Sequence, residues 1–147
     1  EQLSTSDLNY LQFSNTLFNF YYEVGSIERF NKIRDRIEER VNQLSLNTIE
    51  ELELSIKFNY NVCRYLWLQK DTEQAISRIS TTIKQCKDYR TTYLLADLYV
   101  LMGNISKSIS SKDNTLENYE VARFLYKLDE NIPMMLKVEQ YILKLTE

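Results

Sequence analysis

The segment DTEQAISRISTTIKQC, residues 71–86, decides the fold class of this chain. Asp71 is a short polar residue of the kind that accepts hydrogen bonds from the free backbone N–H groups of a helix start, and Glu73 follows in the first turn. Behind them the apolar residues recur every three or four positions, at Ala75, Ile76, Ile79, Ile83 and Cys86. This spacing predicts a helix with one buried face.

The same pattern extends in both directions along the chain. Similar helix starts occur at 47–50, at 114–117 and at 131–133, where the single proline falls in a first turn. Two glycines and one proline in 147 residues predict long helices with short connections. We expect seven helices, at about 5–23, 27–43, 48–69, 72–86, 89–109, 115–128 and 132–146.

Internal repetition indicates how these helices pack. The motif Phe18-x-x-Tyr21-Tyr22-x-x-Gly25-Ser26 aligns with Cys63-x-x-Leu66-Trp67-x-x-Lys70-Asp71, 45 residues further on, and both resemble the tetratricopeptide pattern. We therefore predict an all-α fold in which antiparallel helical hairpins stack as a tetratricopeptide-like right-handed solenoid. One domain would cover residues 1–147, with hairpins at about 5–43, 48–86 and 89–128 and a closing helix at about 132–146.

Composition excludes several classes of function. The formal net charge of -3 and the scattered basic residues leave no basic stripe, so DNA contact would come only through a domain absent from this chain. No apolar run approaches the ~20 residues of a membrane span, which predicts a cytoplasmic protein without a membrane segment.

Catalytic and metal chemistry also lack candidates in the sequence. There is no histidine, no glycine-rich phosphate loop, and the paired acids such as Glu38 and Glu39 are adjacent, so they point to different parts of a helix surface. Cys63 and Cys86 fall within apolar stripes without metal-ligand spacing, which predicts buried thiols. We predict no enzyme activity, no metal and no cofactor.

A family resemblance rests on three consecutive stretches within residues 47–146. They are Tyr93-Leu94-Leu95-Ala96-Asp97-Leu98-Tyr99-Val100-Leu101-Met102-Gly103-Asn104, then Asn118-Tyr119-Glu120-Val121-Ala122-Arg123-Phe124-Leu125-Tyr126-Lys127-Leu128, then Val138-Glu139-Gln140-Tyr141-Ile142. In this order they resemble the C-terminal half of the RRNPP family of bacterial peptide-pheromone receptors. The resemblance implies a quorum-sensing regulator whose concave surface, lined by the first helix of each hairpin, binds a short signalling peptide through asparagine side chains. An amide suits that role because it both donates to and accepts from a peptide bond.

Projecting the repeat pattern onto that inner surface predicts the peptide-binding groove. Its candidate residues are Asn15, Asn19, Tyr22, Asn59, Tyr60, Arg64, Trp67, Asp97 and Asn104. Asn59 is included because it interrupts an apolar stripe, and a buried amide without a partner costs about 1–3 kcal/mol. The alternative is that these residues only pack helices together, with Asn59 bonded to a neighbouring helix.

The last helix carries a broad apolar surface that includes Met134, Met135, Ile142 and Leu143. A terminal repeat either caps the core or buries such a surface in a partner. A homodimer through these residues and a simple cap are the two alternatives.

Two functional hypotheses follow. In the first, the chain is the peptide-binding and dimerisation domain of a transcription regulator. In the second, it is a constitutive protein–protein interaction scaffold. A phosphatase-type regulator is a weaker third, because no catalytic amide or acid is identifiable.

Overall fold

The computed structural model describes residues 5–147, and in this range every regular element is an α-helix. The seven helices are α1 (Thr5–Glu23), α2 (Ile27–Asn42), α3 (Ile49–Leu68), α4 (Thr72–Asp88), α5 (Leu95–Ser108), α6 (Lys112–Leu128) and α7 (Ile132–Thr146). The prediction of an all-α chain with seven helices is confirmed. None of the helices within this range is long and apolar enough to cross a membrane.

Three of the predicted helix starts carry a side-chain cap, and in the first of them the capping residue is Thr48 and not Asn47. Thr48 Oγ1 accepts from the backbone N–H of Glu51 at 3.1 Å. The side-chain oxygens of Asp71 and Asn131 each accept from the N–H three residues later, both at 3.3 Å. These bonds satisfy backbone donors that have no partner inside the helix.

The predicted start of α6 near residue 115 is wrong. The helix begins at Lys112 after Ser111, and the hydroxyl of Thr115 donates to the Ser111 carbonyl at 2.7 Å from inside the first turn. A threonine can bond either way at a helix start, so a capping motif in the sequence does not by itself fix the first residue.

The predicted start of α5 near residue 89 is also wrong. Helix α4 continues to Asp88 and is closed by Arg90, which has φ of 53°. A second left-handed residue, Leu94 with φ of 55°, precedes the first residue of α5, Leu95. Two left-handed residues interrupt this stretch, and no glycine marks the break. Thr91 Oγ1 accepts from the backbone N–H of Tyr93 at 3.1 Å within it.

Five helices end in the same hydrogen-bonded turn. In each, one residue adopts a left-handed conformation and the N–H after it donates to the carbonyl five residues earlier, at 2.8 to 3.0 Å. The left-handed residues are Gly25, Lys70, Arg90, Ser110 and Glu130. Four of these five carry a side chain, at a conformational cost of about 1–2 kcal/mol each. These turns make the short reversals between successive helices, and only the one after α1 uses a glycine.

The chain divides into two compact units, the first ending at Arg78 and the second spanning Ile79–Glu147. In the first unit α1, α2 and α3 pack around an aromatic core. The ring centroids of Phe18 and Phe30 lie 4.5 Å apart, and Phe30 stacks on Tyr65 at 4.0 Å. Such aromatic contacts add to the free energy gained from burial.

In the second unit α6 packs against both α5 and α7. One hydrophobic cluster of that unit comprises Ala96, Tyr119, Ala122, Tyr126 and Val138. The single domain over residues 1–147 and its right-handed stacking stay predictions.

Candidate functional site

Helices α1 and α3 bring equivalent repeat positions together in the first unit. Asn19 and Arg64, which the internal repeat aligns at an offset of 45 residues, are in direct contact. Around Arg64 lie side chains that we call the arginine cluster: Asn19, Tyr22, Glu23, Tyr60, Asn61 and Arg64. Four of these six are predicted groove residues, so the repeat alignment located a real spatial cluster.

Two amides hold one nitrogen of the Arg64 guanidinium. Its Nη2 donates to Asn19 Oδ1 at 2.6 Å and to Asn61 Oδ1 at 2.7 Å. Hydrogen bonds from a charged donor are short and roughly twice as strong as neutral ones. The arginine side chain is therefore fixed in place between the two helices.

Two tyrosine rings lie close to the same guanidinium. Its Cζ is 4.1 Å from the ring centroid of Tyr22 and 4.8 Å from that of Tyr60, both within the range of a cation–π contact. The Arg64 side chain is only 12% exposed, whereas its acidic partner Glu23, 3.8 Å from Nη1, is 63% exposed. A largely buried cation thus faces a solvent-exposed carboxylate.

Sequence reasoning missed Glu23 and Asn61. Helical spacing was the available signal, because Glu23 lies four residues after Asn19, and Asn61 three residues before Arg64. Each is the next residue on the same helix face as a residue that was predicted.

Asn15 lies beneath this surface and is buried. Its Nδ2 donates to the Leu54 carbonyl at 3.2 Å, and its backbone carbonyl accepts from Asn61 Nδ2 at 3.4 Å. Its Oδ1 has no hydrogen-bond partner. Asn15 joins α1 to α3 from within, and its contact with a ligand stays a prediction.

Asn59 is bonded to a neighbouring helix. Its Oδ1 accepts from Arg78 Nη2 at 2.8 Å and from Nε at 3.2 Å, and Arg78 Nη2 also contacts Glu38 Oε1 at 2.6 Å. This polar network joins α2, α3 and the first half of α4. Trp67, the remaining candidate on α3, is half-buried.

In the second unit the two predicted groove residues are held by tyrosines of α6. Tyr126 donates to Asp97 Oδ1 at 2.9 Å, and Tyr119 donates to Asn104 Oδ1 at 2.5 Å. Burial raises the pKa of Tyr119, and the nearby Tyr141 raises it further, so this hydroxyl stays a neutral donor. Both bonds fasten α5 to α6.

The predicted dimer residues occupy two environments. Met134, Met135 and Ile142 are partly buried against the core of the second unit, whereas Leu143 is 54% exposed. Other exposed apolar side chains of α6 and α7 were not predicted: Phe124, Leu128, Ile132 and Leu136.

The cysteines are buried thiols, as their apolar surroundings in the sequence indicated. Cys86 Sγ donates to the Tyr93 carbonyl at 3.7 Å, and burial raises the pKa of this thiol to about 11. A thiol with such a pKa is a poor nucleophile near neutral pH.

Over residues 5–147, no three acids or cysteines are grouped so that they could hold a metal ion.

A separate cavity of about 410 Å³ lies between α1 and α2. It is lined by Asp7, Leu11, Arg36, Glu39, Arg40 and Gln43. Its opposite charges partly pair with each other, since Arg40 Nη1 lies 3.8 Å from Asp7 Oδ1. The mixed lining does not favour a ligand of either charge.

Comparison with known proteins identifies a family. Residues 2–139 match the family described as the RNPP family C-terminal domain, which covers nearly the whole chain. No curated protein matches significantly. No solved structure does so either.

Proposed function

The chain belongs to the RNPP family of C-terminal domains, and on that premise we propose that it senses a short signalling peptide at the arginine cluster. The family is one of regulatory peptide-binding domains and not of enzymes.

The observation that carries the proposal is the convergence of Asn19, Tyr22, Tyr60 and Arg64 at one surface. These side chains combine an amide group for a peptide backbone, aromatic rings for apolar side chains and a cation for a carboxylate. Peptide sites need this mixture of pre-positioned polar groups and apolar contacts.

Exposed apolar residues of α1 and of the turn that follows it support the same location. Phe13, Phe20 and Val24 are 62%, 52% and 57% exposed, at spacings of seven and four residues along one side of the helix. Gln12 and Asn19 each directly precede one of these phenylalanines, so a polar row and an apolar row run side by side. A ligand crossing α1 would contact both rows.

We further propose that peptide binding in the cytoplasm changes how the helices pack and thereby alters the output of a transcription regulator. A ligand shifts such an equilibrium only if it binds one packing arrangement better than the other. The arginine cluster joins α1 to α3, so a peptide bound there acts directly on the packing of these two helices.

Affinity selection from a random library of short peptides tests the binding site. Selected peptides should raise the melting temperature of the wild-type chain, and Asn19→Ala or Tyr60→Ala should weaken binding by about tenfold, since each loses about 1–2 kcal/mol of contact. Tyr126→Phe is the matched control, because it removes a hydrogen bond of the second unit. Selection of no peptide, or equal loss in the control, would contradict the proposal.

We also propose that the exposed apolar side chains of α6 and α7 pair with the same face of a second copy. A closing helix with such a surface requires either a polar outer face or a partner. Leu136 and Leu143 are 50% and 54% exposed on α7. Sedimentation of Leu136→Glu and Leu143→Glu should show monomers where the wild type shows dimers, and a monomeric wild type would contradict this part.

A further inference from the structure

We infer that Arg64 receives a carboxylate of the ligand at its Nη1 nitrogen, and that Glu23 occupies this position as an internal competitor until the ligand displaces it. This inference rests on the proposed peptide-binding function and deepens it. The ligand would carry a negatively charged carboxylate, and Glu23 would inhibit its binding.

The surroundings of Arg64 leave Nη1 as the nitrogen directed at an anion. The guanidinium carbon Cζ lies 4.1 Å from the ring centroid of Tyr22 and 4.8 Å from that of Tyr60, and Nη2 already donates to two amide oxygens. Nε is buried and has no partner, so it is closed to a ligand arriving from solvent. Nη1 instead pairs with a carboxylate that is itself exposed.

Glu23 is a weak partner for this nitrogen. The distance of 3.8 Å is an ion-pair contact, and it exceeds the 2.7–2.9 Å of a charge-assisted hydrogen bond. The carboxylate is 63% exposed, on the last residue of α1 before the turn at Gly25. Solvent screens the charge of this exposed carboxylate, and holding its side chain in place costs entropy, so the pair is weak although Arg64 itself is largely buried. A ligand carboxylate held by other contacts would approach Nη1 more closely and replace Glu23.

The carboxylate can come from the C-terminus of a peptide or from an acidic side chain. Both supply the same planar pair of oxygens to the guanidinium. We therefore compare three random-sequence peptide libraries: with a free C-terminus, with an amidated C-terminus, and with an amidated C-terminus and no Asp or Glu. Preference for the first library over the second assigns the C-terminus, whereas preference for the second over the third assigns an acidic side chain.

The deciding measurement is the Kd of selected peptides for the wild-type chain, Glu23→Gln and Arg64→Gln. Glu23→Gln should bind carboxylate-bearing peptides about two- to fivefold more tightly, as expected when an exposed competing ion pair is removed. It should leave binding of peptides from the third library unchanged. Arg64→Gln should abolish the preference between libraries.

Glu28→Gln is the matched control, because Glu28 is an exposed acid of the same unit that pairs with Lys32 on its own helix. It removes the same charge and should leave every Kd unchanged. Thermal denaturation checks the folding of each variant, and if Arg64→Gln does not fold, Glu23→Gln and the library comparison decide alone.

Equal binding of all three libraries would overturn the inference while the peptide-binding function stands. An unchanged Kd for Glu23→Gln, or an equal gain in Glu28→Gln, would overturn the competitor role in the same way. Failure of all peptides to bind any variant would overturn the proposed function and this inference with it.

Discussion

The two units fasten their helices with different polar groups. In the first, α1 and α3 are joined through the guanidinium of Arg64, with two amide oxygens and two tyrosine rings around it. In the second, α5 and α6 are joined by neutral tyrosine hydroxyls that donate to Asp97 and Asn104. One arrangement is charged and open to solvent at Glu23, whereas the other is built around two buried tyrosines.

This difference shows what makes a polar residue available to a ligand. Asn104 and Asn19 are the same residue type at predicted groove positions, and both accept a hydrogen bond from a neighbouring helix. The partner of Asn104 is a hydroxyl with one proton to donate, whereas the partner of Asn19 is a cation with further N–H groups. A polar cluster can therefore bind a ligand when its donor group keeps N–H groups that packing between the helices has not used.

The substitution with the largest expected effect on the unfolding free energy tests whether the two units unfold together. Phe18→Ala removes a fully buried ring from the first unit and should cost about 3–5 kcal/mol of unfolding free energy. If the chain is one cooperative domain, the urea transitions followed by fluorescence of Trp67, the single tryptophan, and by far-ultraviolet circular dichroism should shift together. Separate transitions would show two domains and contradict the single-domain prediction.

A second prediction concerns the close approach of α5 and α6. A Cβ atom at Gly103 would lie 2.5 Å from Cδ1 and Cε1 of Tyr119, a ring that is buried and bonded through its hydroxyl. Gly103→Ala should therefore lower the unfolding free energy by about 2 kcal/mol, as measured by urea denaturation.

The control for this prediction is the same substitution in a Tyr119→Leu background. There the cost should vanish or reverse, because alanine favours a helix over glycine by about 1 kcal/mol. An equal cost in both backgrounds would show that the ring is not the cause.

A third prediction concerns the turns that end the helices, which occur in both units. Lys70→Gly in the first unit and Glu130→Gly in the second should each raise the unfolding free energy by about 1 kcal/mol. The left-handed conformation costs a side-chain-bearing residue about 1–2 kcal/mol, and glycine's greater freedom in the unfolded chain offsets part of the gain. Thermal and urea denaturation measure the change. The same substitution at Lys127, inside α6, should destabilise the chain by about 1 kcal/mol instead.

The smallest predicted effect is confined to alkaline pH. Burial raises the pKa of Cys86 to about 11 from 9.0, so the unfolded chain releases this proton at lower pH than the folded chain. The resulting stability is fully present below pH 9 and is lost as pH rises towards 11. The loss should reach about 1 kcal/mol by pH 10.

Cys86→Ala should remove this part of the pH dependence, as followed by urea denaturation at pH 7, 9 and 10. The buried Tyr119, whose pKa is also raised, supplies a remaining slope above pH 10. An identical slope in the variant and the wild type would show that the Cys86 thiol is not responsible.

Local signals predicted most of the helices. Thr48, Asp71 and Asn131 are short polar residues, and in the structure each caps the helix that follows it in the sequence. The stretch 89–94 failed as a prediction because it contains no glycine or proline to mark the break. The break there comes from the left-handed Arg90 and Leu94, and such residues have no sequence signature when they are not glycine.

The candidate site was predicted in part. The repeat offset paired Asn19 with Arg64, and the two side chains are in contact where α1 packs against α3. The same alignment selected Asn15, which is buried. Periodicity identifies the face of a helix, but it does not measure how far a residue on that face lies below the surface.

By itself, the sequence determined the helical class, the number of helices over residues 5–147 and the buried side of α4, because capping and apolar spacing act over a few neighbouring residues. Only the tertiary structure decided that Asp97 and Asn104 bond to tyrosines and that Arg64 keeps a nitrogen directed at the exposed Glu23. Those outcomes depend on partners contributed by another helix. A hydrogen bond between helices forms only after packing has brought donor and acceptor within about 3 Å of each other.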